Sequence, residues 1–244
     1  MQAHVGCSGW FYWQWRGKFY PENSRPDVWF RHYSTNFNTV ELNAPFYRWP
    51  HIANVKIWVR QAPENFRYSI KVNRIITHEM RLVRTRMLVE EFCKFSEILG
   101  PKLGCFLFQF PPSYRYAASR LRTITTQIDP SFRCAIEFRH ASWWRDRVYD
   151  AFRNRGLMFA TVSAPKLPDD LIRTADSIYV RLHGRSRWYR HDYSDDELKT
   201  WVDHIVASGA REAWIYFDND NEAYAPKNAA RLRQLLLARG VETR

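Results

Sequence analysis

The strings TVELN (39–43), AIEFR (135–139), YVRLHG (179–184) and IYFDND (215–220) each carry an apolar alternation into charged or amide residues. Successive side chains of a strand point to opposite faces, so Glu41 and Asn43 oppose Val40 and Leu42. By the same parity Glu137 and Arg139 oppose Ile136 and Phe138, and Arg181 and His183 oppose Val180 and Leu182. A charge inside a strand is costly unless it is paired or used. Its recurrence at the carboxyl end of strand after strand predicts a shared polar mouth, which is where α/β barrels and open α/β sheets bind substrates.

Working outward, eight strand-like segments follow one another at 4–10, 39–46, 67–72, 103–110, 133–139, 157–163, 177–184 and 212–220. Helix-like stretches lie between and after them, near 27–36, 53–60, 86–99, 117–128, 142–155, 168–174, 194–208 and 225–239. Ser194-Asp195-Asp196-Glu197 has the capping-box spacing that starts a helix. Eight βα units with no strand left over predict an α/β fold, a closed eight-stranded parallel (β/α)8 barrel of the TIM type. No GxGxxG turn follows the first strand, which removes the main support for a dinucleotide-binding sheet. Parity then places Ser8, Trp10, Glu41, Asn43, Lys71, Gln109, Glu137, Arg139, Thr161, Ser163, Arg181, His183, Asp218 and Asp220 among the inward-facing side chains.

The 244 residues contain 45% hydrophobic residues and no linker-like or repetitive segment, so residues 1–244 are expected to form one domain. Cys7, Cys93, Cys105 and Cys134 stand singly in apolar segments, as buried thiols in a reducing compartment do. Strand-like residues begin by His4, leaving no room for a signal peptide, and no apolar run reaches the roughly 18 residues of a membrane span. A cytoplasmic protein with no membrane association is expected. Lys and Arg number 37 against 25 Asp and Glu, a formal net charge of +12. That excess favours an anionic small molecule or a nucleic acid as partner, although a basic solvated surface has the same composition.

The strings CSGWFYWQWRGKFYP (7–21), FNTVELNAPFYR (37–48), KVNRIITHEMRL (71–82), LGCFLFQFPPS (103–113), AIEFRHASWW (135–144), YVRLHG and YFDNDNEAYAPKNA (216–229) together resemble the YecE-like proteins, catalogued as domain of unknown function 72. The resemblance runs in order from about Gly6 to Leu236. It implies an α/β barrel related in shape to TIM barrels and a site at the barrel mouth, and it supplies no reaction. Two positions depart from the family pattern. Many relatives have an aspartate near Thr161–Ser163 and an asparagine at the position of Asp218, so an acid sits on a different strand here.

Three chemistries suit the mouth residues. The first is a hydrolase acting on a phosphate-containing substrate, up to nucleic acid, with Glu41, Lys71, Glu137, His183 and Asp218 as the catalytic set. Glu137 would activate water directly or through a metal. No HxH or HExxH pair occurs, so a multi-zinc centre is disfavoured and a single Mg or Mn ion is the one metal reading left open. Substrate contacts are expected from Trp10, Tyr12, Asn43, His78, Gln109, Arg139, Arg181, Arg185 and Arg187. The loops 74–86 and 185–191 bring arginine forks for phosphate, with Trp188 and Tyr189 as stacking faces. The second is a cofactor-free enzyme on a small anionic metabolite, with Lys71 or Glu137 as base and Arg181 as anchor. The third is a non-catalytic nucleic-acid binder, which leaves the buried acids without a purpose. A glycosidase pair is absent, because strand 4 ends in Gln109 and not in an acid. Glu41, Lys71, Glu137 and Arg181 can also be read as a salt-bridged plug with no chemistry.

Overall fold

In the computed structural model, which describes residues 1–243, one parallel sheet curls into a barrel with helices outside it. Its strands are β1 Gln2–Cys7, β2 Thr39–Leu42, β3 Arg67–Lys71, β4 Leu103–Gln109, β5 Cys134–Glu137, β6 Met158–Phe159, β7 Thr161–Ser163, β8 Ser177–Leu182 and β9 Glu212–Phe217. The hydrogen-bonded order is β6-β5-β4-β3-β2-β1-β9-β8-β7. The two ends of that order are separated along the chain only by Ala160, whose amide bonds the Ile136 carbonyl at 2.9 Å. The expected sixth strand is therefore two short pieces, and the barrel closes covalently through Ala160.

A tenth strand, β10 Glu242–Thr243, was not expected. It pairs with Gln2 and Ala3, below the point where β2 first meets β1 at Cys7 and Val40. β1 already pairs with β9 on its other edge, so β10 fills the lower gap between β1 and β2. Gly6 permits the close approach of β2: a Cβ there would lie 2.2 Å from the Thr39 carbonyl oxygen.

The helices are α1 Trp29–Asn36, α2 Ala44–Tyr47, α3 Ile52–Gln61, α4 Arg86–Cys93, α5 Phe95–Leu99, α6 Ala118–Gln127, α7 Asp146–Arg153, α8 Asp195–Ala207 and α9 Tyr224–Ala238. Ser194 and Glu197 form the expected capping box at α8. No helix forms at 168–174. Residues 168–174 form no regular element, and Thr174 Oγ1 accepts the Phe159 amide at 2.8 Å and donates to the Leu157 carbonyl at 2.6 Å. The Ile172 amide likewise bonds Thr161 Oγ1 at 3.3 Å. This strap satisfies backbone groups of the interrupted strand, and a helix would leave them unpaired.

Outward-facing Val5, Val40, Ile70, Phe106, Phe108, Ile136, Val180, Ile215 and Phe217 join the helices in one apolar layer. The barrel interior holds a separate cluster of Cys105, Leu107, Ala135, Met158, Ala160, Tyr179, Trp214 and Tyr216. Met158 and Ala160 occupy the inward positions that parity assigned to Thr161 and Ser163, a slip of one residue on this strand. The interior becomes more polar upward. His4 stacks on Trp214 with ring centroids 3.9 Å apart, and above them the Tyr216 hydroxyl meets Thr39 Oγ1 at 2.7 Å and Ser69 Oγ at 2.8 Å.

Candidate active site

At the next level Arg181 crosses the barrel. Register pairs it with Tyr216 of β9 and Val162 of β7, so its guanidinium points inward at the carboxyl ends of the strands. Nε and Nη2 grip Glu41 at 2.9 and 2.5 Å, a bidentate pair. Nη1 donates to Glu137 Oε2 at 2.6 Å, and Nη2 also reaches Asp218 Oδ2 and Ser8 Oγ at 3.2 and 3.1 Å. Glu41 further accepts from Ser8 Oγ at 2.5 Å and the Tyr179 hydroxyl at 2.6 Å. Arg181, Glu41 and Glu137 are fully buried, as their inward parity required.

Arg139 completes the network. Its Nε donates to Glu137 Oε1, its Nη2 lies 3.2 Å from His183 Nε2, and its guanidinium sits 4.4 Å from the centroid of the Trp188 ring. Trp188 thus stacks on a protein cation, the role sequence reading gave to a base or sugar. Arg181 Nη1 also lies 3.2 Å from His183 Nε2. A guanidinium can only donate, so Nε2 accepts and the neutral ring carries its proton on Nδ1. That nitrogen is 2.8 Å from Asp218 Oδ2, off the direction of a well-aimed hydrogen bond.

These contacts fix the ionisation states. Burial opposes charge on Glu137, but the Arg139 and Arg181 guanidiniums outweigh it and hold the carboxyl well below the usual range. Asp218 is lowered in the same way, with burial opposed by Arg181, His183 and Lys71. Burial also opposes the Arg181 charge, and Glu137, Glu41 and Asp218 overcome it. Both acids are salt-bridged anions, unsuited to take a proton from water near neutral pH.

Lys71 stands apart. Paired in register with the interior residue Leu107, it is only 8% exposed, yet its amine makes no ion pair or hydrogen bond among the described residues. Nζ lies 4.2 Å from the centroid of the Phe46 ring. Burial, then the Arg181 charge, lower its pKa from 10.5 to about 8, against the pull of Glu137, Asp218 and Glu41. His78 packs edge-on against the same Phe46 ring at 4.9 Å and contacts Thr77 Oγ1 at 3.0 Å. Its Nε2 is 3.4 Å from Gln109 Nε2. Burial and the charges of Lys71, Arg74 and Arg139 push His78 down to about 4, so the ring is neutral above that pH.

Asn43 closes the other side, with its Oδ1 buried and unpaired and its Nδ2 3.4 Å from the Ser8 carbonyl. The Tyr12 hydroxyl donates to the same carbonyl at 2.5 Å. Asp220, half-buried beside the mouth, is raised to about 6 by burial and by Asp218.

Three sequence-predicted contacts are not brought into this network. The chain turns at Gly9, where φ is +98°, and Trp10 packs edge-on against Phe30 of α1 at 5.0 Å, in the outer layer. Arg185 and Arg187 extend into solvent on the 184–191 loop, Arg185 approaching the Asp169 carboxylate at 4.0 Å. Arg181 is no anion anchor either, since its donors are already spent on carboxylates. Sequence reading placed Ser8 and Asp220 on the inner face without giving them a task, Tyr179 shares the inward parity of Arg181, and there was no signal for Phe46, which follows β2 in α2.

A divalent cation does not fit this donor set. The Arg181 guanidinium occupies the centre of the acid cluster, and no group of three or more His, Cys, Asp or Glu among the described residues is arranged to hold a metal ion. All four cysteines are buried and free.

Residues 4–243 match the family model described as "Protein of unknown function DUF72", and the chain belongs to that family. It is 25% identical over 269 residues to UPF0759 protein YunF of Bacillus subtilis (strain 168), covering 96% of this chain and 94% of that one. UPF0759 protein YecE of Escherichia coli (strain K12) is 28% identical over 126 residues, about half of each chain (51% and 46%). Among solved structures, a DUF72 family protein (TM1631) from Thermotoga maritima MSB8 superposes with a TM-score of 0.88 at 28% identity, covering 97% of this chain and 100% of the other. A second, EF0366 from Enterococcus faecalis V583, has a TM-score of 0.83 at 20% identity, over 96% and 95% of the two chains, and speaks for the fold alone.

Proposed function

We propose that this DUF72 chain is a cofactor-independent enzyme acting on a small anionic metabolite at the barrel mouth, with Lys71 as the base. One observation carries this reading: the charge network closes without Lys71. Glu41, Glu137 and Asp218 are each held by a guanidinium, and one buried amine is left with no hydrogen-bond or ionic partner and a pKa near working pH, at about 8. A base poised near the operating pH is what proton transfer requires. Inside the mouth Arg139, Arg181 and Lys71 offset Glu41, Glu137 and Asp218, so the attraction for anions comes from the exposed rim arginines Arg74, Arg84, Arg185 and Arg187.

The test is solvent exchange. Small keto, hydroxy and phosphorylated acids are incubated with the protein in D2O, and deuterium uptake next to a carbonyl is followed by NMR. Uptake catalysed by the parent and absent with Lys71→Met supports the reading. Equal uptake with the variant, or none with any compound, refutes it.

Hydrolysis of a phosphate-containing substrate, nucleic acid included, is the second reading. The solvent-facing arginines and the net charge of +12 favour it as far as binding goes. The water-activating role it gives Glu137 conflicts with two arginines holding both oxygens of that buried carboxylate. Cleavage of labelled DNA, RNA or phosphodiesters with Mg or Mn, abolished in Glu137→Gln, would favour it over the first. Salt-sensitive binding without cleavage would favour a non-catalytic binder.

A further inference from the structure

We propose that Lys71 is a covalent catalyst, its ε-amine condensing with the aldehyde or ketone carbon of a small carbonyl-bearing anion to form an imine. This rests on reading the mouth as a Lys71-centred site and names its substrate class. The composition draws attention to the residue first. Eight of the 37 basic residues are lysines. Six of the eight are exposed and Lys102 is half-buried, so Lys71 is the one buried lysine among the described residues. Where a fixed interior charge is needed the chain uses arginine, at 139 and 181. An amine differs from a guanidinium in that it can lose its proton and attack carbon.

Geometry supplies the rest. The amine has no hydrogen-bond or ionic partner, so its lone pair is not committed once the proton leaves. Burial disfavours its protonated form and Arg181 repels it, the two means by which a lysine pKa is lowered, and the Phe46 ring lies 4.2 Å away as one wall beside it. At the mouth the orphaned Asn43 Oδ1 can accept from the carbinolamine hydroxyl or the departing water, and the neutral His78 ring lies against the same Phe46 wall. The Arg139 guanidinium, 10% exposed, supplies charge for the carboxylate or phosphate of the substrate.

The chemistry balances without any further reactant. The nitrogen lone pair forms the C–N bond while the C=O π electrons move to oxygen, which takes a proton, and the nitrogen loses one, giving a carbinolamine. Protonation of the hydroxyl releases water as the nitrogen lone pair completes the C=N bond. Amine plus carbonyl thus becomes imine plus water, with no change of oxidation state. The protonated imine draws electrons from the adjacent C–H bond, and this makes the proton transfer of the first reading accessible.

The experiment traps the imine. The protein is incubated separately with glyoxylate, pyruvate and dihydroxyacetone phosphate, reduced with borohydride, digested and mapped by mass spectrometry. In parallel, binding of the same three anions is measured by calorimetry, and circular dichroism confirms that Lys71→Met and Lys71→Arg are folded. The expected result is an irreversible adduct on Lys71 at least tenfold above that on exposed Lys18, Lys94 or Lys227, with the label at that position lost in both variants. An adduct spread evenly over exposed lysines, or no adduct, overturns the imine. If an anion then still binds in a Lys71-dependent way, the small-anion reading survives without it. If none binds and none is trapped, both fall.

Discussion

Replacing Arg181 by methionine removes the positive centre of the mouth while keeping much of the side-chain volume. Glu41 loses its one cationic partner and retains only the Ser8 and Tyr179 hydroxyls, while Glu137 keeps Arg139. Breaking a buried ion pair by deleting one partner costs about 3–5 kcal/mol. For a chain of this length that corresponds to a fall in melting midpoint of roughly 6–20 °C at pH 7. The pH dependence separates this cause from a packing defect. In the parent, Glu137 and Asp218 are depressed, so their stabilisation is complete above the unfolded carboxyl values and lost as pH falls through the folded ones. Between pH 7 and 5 these two acids therefore contribute no change, while Asp220, raised to about 6, and His78, lowered to about 4, act with opposite signs in both proteins and drop out of the difference between them. In Arg181→Met the orphaned acid is raised by desolvation, so the folded state binds a proton that the unfolded chain does not, and stability recovers as pH falls over that interval. Thermal melts of both proteins at pH 7, 6 and 5 decide it. A deficit under 1 kcal/mol, or one that is constant or grows toward pH 5, would refute the account of Arg181 as the neutralising centre.

Lys71→Met should have the opposite sign. The displacement of Lys71 from 10.5 to about 8 corresponds to roughly 3 kcal/mol of strain on the charged amine, so its removal should raise the melting midpoint by several degrees at pH 7. A lowered midpoint would mean that the amine is structural. At Gly184, φ is +115° and a Cβ would lie 2.3 Å from the Arg187 carbonyl oxygen, so Gly184→Ala should lift the loop that lays Trp188 over Arg139. Limited trypsin digestion should then cut faster after Arg185, Arg187 and Arg190, and an unchanged cleavage map would show the loop to be held by something else.

How far the sequence was legible depends on how strictly each segment alternates. TVELN, AIEFR and YVRLHG alternate polar with apolar, and Glu41, Glu137 and Arg181 converge as parity required. LMFATVS (157–163) is apolar or small throughout, so its facing was underdetermined and came out one residue off, in a strand that is itself broken at Ala160. The 168–174 stretch looked helical from its composition, but the unpaired backbone of that broken strand needed Thr174 more than the chain needed a helix. Trp10 was misplaced because strand pairing stops just before the positive φ at Gly9. The free state of Lys71 had no sequence signal at all, since it follows from which acid each arginine takes in three dimensions.

The plug and the reactive amine are nonetheless one electrostatic system. Three carboxylates meet two guanidiniums, which leaves one negative charge that Lys71 balances from a distance without touching any acid. A direct ion pair would fix the proton on the amine and put it out of use. Here burial and the Arg181 charge together outweigh the attraction of Glu137, Asp218 and Glu41 for the protonated amine. The arginine that makes buried acids tolerable therefore also adds to burial in lowering the Lys71 pKa to about 8. This reconciles the two readings of these residues as a salt-bridged plug and as a site: the saturated part of the network is structural, and its one unsaturated member is where chemistry can occur.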